Sequence, residues 1–283
     1  MTELAAAGVL SVEDPSGKGR GDENFPVGSW LIAKPLRRHV HAFYDFARNA
    51  DDIADSAVLP AEEKVARLDH MQAVLLGATD TGSQSALRLS HSLAETGVTP
   101  RHSTDLLIAF RRDATKLRYA SWAELEDYCR YSAMPVGRHM LDLHGEDTAT
   151  YAPSDALCTA LQVLNHLQDC ARDLAQLDRC YLPQDLLQRN GCTVEVLREQ
   201  RETAGLRRVF DALLDEVEAL NRAAIDLPRR TRSRRLRLET AVIVGLSLRL
   251  ARRLRRGDPV ATRVKLRHAD VVGSVIAALR FAA

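Results

Sequence analysis

The 283-residue sequence predicts an all-α protein, and three observations lead to that prediction. Aromatic residues make up only 5% of the chain, and alternating runs of β-branched residues, which favour strands, are scarce. Alanine, leucine and arginine dominate, and these are strong helix formers. From Pro35 onward the apolar residues follow a helical period with few interruptions. We expect a loose N-terminal arm over residues 1–22 and one helical domain over residues 23–283.

Recognisable turn signals separate the predicted helices of the first half. Pro60 stands where a helix can begin, because its fixed φ suits a first turn, and two glutamates follow it closely. Residues 77–85, GATDTGSQS, are typical of a loop. The next turn ends at Ser103 or Thr104, and either hydroxyl can cap the helix that follows.

The second half contains one long connection and then further helices. Residues 144–157 are rich in turn formers, and Ser154 is the expected cap of the following helix. Further helices are expected over 194–226, 231–256 and 260–281. Two apolar stretches near the C-terminus, of about 14 and 13 residues, fall short of the roughly 20 that a membrane-spanning helix requires. We expect core helices there, with contact at a membrane surface as the alternative.

The overall composition is that of a soluble globular protein, with 46% hydrophobic and 27% charged residues. The five cysteines show neither paired nor framework spacing. No signal peptide follows Met1, so a reducing cytoplasm is the expected location. At 283 residues, one large domain or two small ones are possible, and the absence of an internal repeat or linker favours one.

The charge is distributed unevenly along the chain. Residues 201–283 hold 19 Lys and Arg against 9 Asp and Glu, whereas the first 200 residues hold 20 against 29. The basic third is interpreted as a solvated helix face, a patch facing a diphosphate, or a surface attracted to the inner face of an anionic membrane. Nucleic acid fits poorly as a partner, because no aromatic residues interleave with the arginines.

The first acidic cluster lies in FYDFARNADDIADS and consists of Asp51, Asp52 and Asp55. A charged triplet on a helix is usually a solvated face, but the neighbouring residues here are apolar. Clustered carboxylates on a buried helix repel one another and are tolerated when cations compensate. Mg²⁺ fits, since it prefers oxygen ligands and is often shared between carboxylates and phosphates.

The second acidic cluster follows more than a hundred residues later, in LQVLNHLQDCARDLAQLDRCYLP. Asn165, Asp169 and Asp173 are spaced by four, so they form one row along a helix, with Gln162 on the adjoining face. Two such rows facing each other can hold divalent cations, and the cations can hold a diphosphate. Helices in direct contact leave no room for metal ions and a diphosphate, so the two rows are expected to flank an open cavity.

These motifs resemble the squalene/phytoene synthases, whose fold is a helical isoprenoid synthase bundle around a central cavity. The similarity covers residues 23–190, including ENFPVGSWLI, both aspartate motifs and DYCRYSAMPVGR (127–138). Within the family the sequence is most similar to the bacterial hydroxysqualene synthases of squalene and hopanoid biosynthesis. Gln168, and an extra residue between Asp173 and Arg179, carry that narrower resemblance.

The resemblance implies an enzyme that ionises presqualene diphosphate with Mg²⁺ and captures the cation with water. It implies catalytic roles for Asp51, Asp55, Asp169, Asp173 and Tyr128. Substrate binding is implied for Tyr44, Arg48, Gln162, Asn165, Gln168, Arg179 and Tyr181. Metal binding is implied for Asp51, Asp52, Asp55, Asn165, Asp169 and Asp173.

Two alternatives stay open at this point. One is a family member that condenses two prenyl diphosphates head to head, giving presqualene diphosphate, squalene or phytoene. The other is a non-catalytic assembly factor, which the intact acidic motifs disfavour. The lack of a dinucleotide-binding fingerprint does not decide whether a nicotinamide cofactor takes part.

Overall fold

The computed structural model describes residues 11–13 and 32–281. The expected N-terminal arm and the motif at 23–32 therefore lie almost entirely outside the described residues. Within the described part of the arm, Val12 donates its backbone N–H to the carbonyl of Gly82 at 2.8 Å. The Glu13 carboxylate accepts hydrogen bonds from Ser83 and Ser85. This short segment is thus attached to the loop that precedes the third helix.

The described residues are helical, as the composition predicts, and contain no strand. Three short 3₁₀ turns, at Thr148–Thr150, Val194–Arg198 and Leu279–Phe281, accompany the α-helices. The α-helices are α1 Lys34–Asp55, α2 Ala61–Leu75, α3 Gln84–Thr96, α4 Arg101–Thr115, α5 Trp122–Ser132, α6 Met134–Leu143, α7 Tyr151–Leu177, α8 Gln184–Arg189, α9 Ala204–Ala224, α10 Leu227–Arg230, α11 Arg234–Leu254 and α12 His268–Ala278.

The predicted helix starts are partly confirmed. Pro60 does precede α2, and Ser83 ends the predicted loop by accepting a hydrogen bond from the N–H of Ala86. The predicted caps at Ser103 and Thr104 are wrong, because α4 begins at Arg101, directly after Pro100, and both residues lie inside the helix. The hydroxyl of Thr104 instead bonds back to the carbonyl of Arg101.

The predicted cap at Ser154 is also wrong. Asp147 caps the 3₁₀ turn that runs directly into α7. The helix begins at Tyr151, three residues before Ser154, so Ser154 is buried within it. All three later helices start later than predicted, α11 by three residues, at Arg234. Residues 194–203 form a 3₁₀ turn and an extended segment before α9, and residues 257–267 form a strap before α12.

The helices pack around three hydrophobic clusters. One lies among α1–α4, a second among α5, α7, α9 and α11, and a smaller third among α6, α7, α10 and α11. The acidic helices α1 and α7 make at most isolated contacts, because α4, α5 and α6 lie between them. The open cavity expected between the two acidic rows stays a prediction. None of the described helices combines the length and apolar character needed to cross a bilayer.

Candidate active site

The first acidic row lies near the C-terminal end of α1. Asp51 and Asp55 are one turn apart on the same face, with Arg48 one turn before them. Arg48 lies 3.0 Å from the Asp51 carboxylate and donates to Asp52 at 2.6 Å. Asp52 is almost fully buried in this pair and lies on the neighbouring face. The structure therefore does not place Asp52 in the row formed by the other two aspartates.

The second acidic row lies along α7. Asp169 is buried, and Arg263 from the strap before α12 contacts both of its carboxylate oxygens, at 2.6 and 2.9 Å. Arg172 contacts the same carboxylate at 2.9 Å. Asp173, one turn further along, keeps 15% of its side chain exposed. Asp169 is thus held by two arginines of the chain itself, while Asp173 is mostly buried and lies 3.8 Å from Arg172.

Arg179 connects the two rows. The helix α7 ends at Leu177, and the left-handed backbone of the next residue, Asp178 (φ 49°), turns the chain back toward α1. The buried guanidinium of Arg179 then donates to Asp55 at 2.9 Å and to the backbone carbonyl of Asp113 at 2.9 Å. A charge-assisted contact thus joins α1 to the segment that follows α7. It brings the ends of the two acidic motifs together in space.

A buried carboxylate behind this bridge was not among the predicted site residues. Asp113 on α4 accepts hydrogen bonds from the hydroxyls of Tyr128, at 2.7 Å, and Tyr181, at 2.9 Å. Both tyrosines are buried, and the imidazole of His166 stacks on the ring of Tyr181 with centroids 3.6 Å apart. The result is an aromatic layer, built from α5, α7 and the segment after α7, in which one aspartate fixes both tyrosine hydroxyls.

Three carboxylates at the site, those of Asp51, Asp113 and Asp173, have raised pKa values. Burial, followed by repulsion from Asp55, raises the pKa of Asp51 to about 8, although 36% of its side chain is exposed. Burial and the neighbouring Asp169 raise the pKa of Asp173 to about 7. Burial also raises the pKa of Asp113 to about 6, against the opposing effect of Arg179. Added positive charge would therefore relieve a repulsion that is built into the site.

The aromatic layer is uncharged at neutral pH. Burial, and then the charge of Arg179, lower the pKa of His166 to about 3, so its imidazole stays neutral. Its ring nitrogen accepts a hydrogen bond from the amide of Gln162 at 3.2 Å. Burial, and then Asp113, hold the pKa of Tyr128 and of Tyr181 far above the usual value. These two phenols stay protonated and donate hydrogen bonds to Asp113.

The remaining candidates occupy different positions around the two rows. Tyr44 lies one turn before Arg48 on α1, and Asn165 one turn before Asp169 on α7; both are partly buried. Gln168 is directed elsewhere, since its amide donates to the carbonyl of Val264 at 2.5 Å. This hydrogen bond attaches the strap at 257–267 to α7.

Lys64 is a further charged residue of the site that was not predicted from the sequence. Its ammonium group donates to the carbonyl of Ala54 at the end of α1, at 3.0 Å. Burial, and then the nearby Arg179, lower its pKa, which places it within the same cluster of charges. A lysine in the first turn of the next helix carries no sequence signal of this role.

The donor set suits a hard divalent cation. The site offers carboxylate and amide oxygens, and burial, followed by repulsion from Asp55 and Asp169, raises the pKa values of Asp51 and Asp173. Among the described residues no three acidic, histidine or cysteine side chains already converge on one point as a metal cage. The chemistry fits Mg²⁺ shared with phosphate oxygens, which needs fewer protein ligands at each ion.

Comparison with known proteins agrees with this geometry. Residues 18–270 match the family model for squalene/phytoene synthase. A hydroxysqualene synthase of Rhodopseudomonas palustris is 47% identical over 91% of this chain and 88% of its own length. One from Sinorhizobium fredii is 44% identical over 87% and 84%. The crystal structure of squalene synthase HpnC from Alicyclobacillus acidocaldarius superposes with a TM-score of 0.74 at 34% identity, covering 84% of this chain and 90% of that one.

Proposed function

Because the chain belongs to the squalene/phytoene synthase family, we propose that it is a hydroxysqualene synthase acting on presqualene diphosphate. The family consists of enzymes that process prenyl diphosphates. The observation that supports the proposal most is the Arg179 bridge, which brings the Asp55 end of one acidic row beside the other. The site thus has a charged end and, behind it, an aromatic end.

The charged end would bind the diphosphate. Asp51, Asp55, Asn165, Asp169 and Asp173 are the residues proposed to hold Mg²⁺. When bound, the metal supplies positive charge that stabilises the departing diphosphate. The position of Asp52 argues against direct coordination, because it is buried against Arg48. Asp169 would be fully available only after Arg263 moves away from its carboxylate.

Arginine side chains are proposed to act on the leaving group directly. Arg48 and Arg179 present guanidinium groups at the two ends of the Asp51–Asp55 row. Guanidinium pairs well with phosphate oxygens, and each arginine is already oriented by a carboxylate. Tyr44, one turn before Arg48, is placed to add a hydroxyl donor. These contacts strengthen as the C–O bond breaks and its electron pair moves to the diphosphate.

The aromatic end would take the carbocation. The electron-rich ring faces of Tyr128 and Tyr181 attract positive charge, and neutral His166 adds none of its own. The Asp113 carboxylate, ionised at neutral pH because its pKa is about 6, places a fixed negative charge behind both rings. The cation rearranges there until the oxygen of one water forms a new C–O bond and releases a proton.

The experiment that tests the function offers the purified protein, with Mg²⁺ and without NADPH, either presqualene diphosphate or farnesyl diphosphate. We expect hydroxysqualene from presqualene diphosphate, identified by mass spectrometry. Product formed only from farnesyl diphosphate would assign the chain to the head-to-head condensing enzymes instead. The cytoplasmic location stays a prediction.

A further inference from the structure

The last helix of the described chain turns its large side chains toward solvent. Five aliphatic residues of α12 and the turn after it are 42–63% exposed: Val271, Val272, Val275, Ile276 and Leu279. Their spacing places them on one continuous face of the helix. No charged residue lies between Val271 and Leu279. In the described part of the molecule, no other helix exposes so many large apolar side chains.

The inner face of α12 is built from small residues. Only Ser274 and Ala278 of this helix are buried. Ser274 packs on Gly245 of α11 so closely that a Cβ atom at Gly245 would lie 3.0 Å from its hydroxyl. A helix at the surface of a soluble protein normally buries its large apolar residues and exposes its polar ones. The helix α12 does the reverse, and an exposed apolar patch of this kind marks an interaction surface.

Arginines border this apolar face. At its C-terminal end, a surface pocket is lined by Arg229, Arg237, Arg280 and Phe281, with no carboxylate in the lining. The Arg280 guanidinium lies 5.0 Å from the Phe281 ring centre. Arg249 of α11 crosses the side of the helix, against Gly273. The one acid on α12, Asp270, is already paired with Arg253 at 2.5 Å.

We propose that α12 is a membrane-docking helix that lies in the interface of an anionic bilayer. The five aliphatic side chains enter the boundary between headgroups and acyl chains, and the bordering arginines bind lipid phosphates. Arginine suits this position because its alkyl stem packs on apolar surface while its guanidinium reaches the headgroups. With 11 residues, α12 is too short to span a bilayer.

The charge favours lipid over a second copy of the chain as the partner. Two copies meeting through this face would bring both arginine borders close together, and the described residues of α12 supply no free acid to neutralise them. An anionic headgroup layer supplies that charge along the whole face. The inference goes beyond the chemistry proposed above, because it concerns where the enzyme works.

The test is flotation of the full-length protein with vesicles. One set contains phosphatidylcholine alone, and the other contains phosphatidylcholine and phosphatidylglycerol in equal parts. We expect binding to the anionic vesicles that weakens as salt is raised. The double variant Val272→Ser/Ile276→Ser should lose at least about tenfold in partitioning, and Arg280→Gln about fivefold. Val58→Ser, at an equally apolar but isolated position that is 83% exposed, should change nothing.

Three outcomes would overturn the proposal. Wild-type protein that does not float with anionic vesicles is the first. Equal flotation of the double variant and the wild type is the second. A dimer in sedimentation that the double variant abolishes, without any vesicle binding, would assign the face to a second copy. Turnover of detergent-solubilised presqualene diphosphate, and the far-UV circular dichroism, are expected to be the same in all variants. The docking surface and the chemistry are therefore tested separately.

Discussion

The guanidinium of Arg263 contacts both carboxylate oxygens of Asp169, at N···O distances of 2.6 and 2.9 Å. The arginine comes from the strap at 257–267, which Gln168 holds by donating to the Val264 carbonyl. These are the oxygen atoms that a metal at the second acidic row would use. A cation can therefore reach Asp169 fully only when Arg263 moves away.

Replacing Arg263 is expected to tighten metal binding. In Arg263→Gln the competing guanidinium is gone, so the affinity for Mn²⁺ without substrate should rise roughly tenfold, the worth of one charge-assisted contact. Electron paramagnetic resonance of free Mn²⁺ measures this directly. Arg255→Gln, which removes a surface arginine paired with Asp215 and Glu218, is the matched control and should leave the affinity unchanged. Unchanged or weaker binding in Arg263→Gln would contradict the competition.

The stability of the metal-free protein is expected to fall as pH rises from 6.5 to 8. The pKa values of Asp51 and Asp173 are about 8 and 7 in the fold, against 3.8 in the unfolded chain, so the native state holds more protons in this range. Stability falls with pH wherever the native state binds the extra protons. The buried His166, whose pKa is lowered to about 3, is neutral in the fold throughout and largely neutral when unfolded above pH 6.5.

Thermal unfolding with EDTA, followed by circular dichroism across this pH range, measures the effect. Asp51→Asn should flatten the slope and raise the midpoint at pH 8, because the repelling carboxylate is gone. Adding Mg²⁺ to the wild type should reduce the slope as well. A midpoint that is level or that rises between pH 6.5 and 8 would show that these carboxylates ionise normally.

Asp113 is expected to matter for stability as well as for the site. Asp113→Ala leaves two buried tyrosine hydroxyls without their acceptor and removes the carboxylate that lies 3.9 Å from the buried Arg179 guanidinium, at a cost of about 3–5 kcal/mol. Asp113→Asn keeps an acceptor oxygen and should cost about 1–3 kcal/mol. Urea unfolding measures both. Asp127→Asn, which breaks a half-exposed ion pair with Arg112, should cost at most about 1 kcal/mol. Equal costs at the two positions would argue against the buried network.

The contrast between Asp113 and its neighbours shows what the sequence could reveal. Arg111, Arg112 and Asp113 are consecutive and look like paired surface charges. In the structure the two arginines do pair outward, with Asp69 and Asp127, while Asp113 turns inward beneath the tyrosines. Only the packing of α4 against α5 decides which of three adjacent charged residues is buried, and no local pattern encodes that.

Spacing within a helix was informative where the partners are four residues apart. Asp169 and Asp173 could be placed on one face because helical geometry fixes their relation. The contact of Arg179 with Asp55 spans 124 positions and depends on how whole helices pack. The contact of Arg263 with Asp169 could not be predicted for a similar reason. Residues 260–267 were predicted as helix, whereas they form part of the strap that reaches Asp169.

The motif DYCRYSAMPVGR contains one glycine whose role the structure explains. A Cβ atom at Gly137 would meet the Ser154 hydroxyl and lie 2.7 Å from the Cys158 sulfur, where α6 crosses α7. Gly137→Ala should therefore destabilise the protein by about 1–3 kcal/mol through overpacking. Val136→Ala, at an exposed neighbour on the same helix, should stay within about 0.5 kcal/mol. Urea unfolding compares the two, and a neutral Gly137→Ala would contradict the close approach.

The most direct test of the proposed role of the two acidic rows is the release of diphosphate from presqualene diphosphate in a single turnover. The wild type and Asp215→Asn, a variant at an exposed aspartate on α9, should release diphosphate at the same rate. Asp51→Asn and Asp169→Asn should each slow the release by about 100-fold or more, with unchanged helicity. If either of these variants released diphosphate at the wild-type rate, the two rows would not be the site at which the substrate ionises.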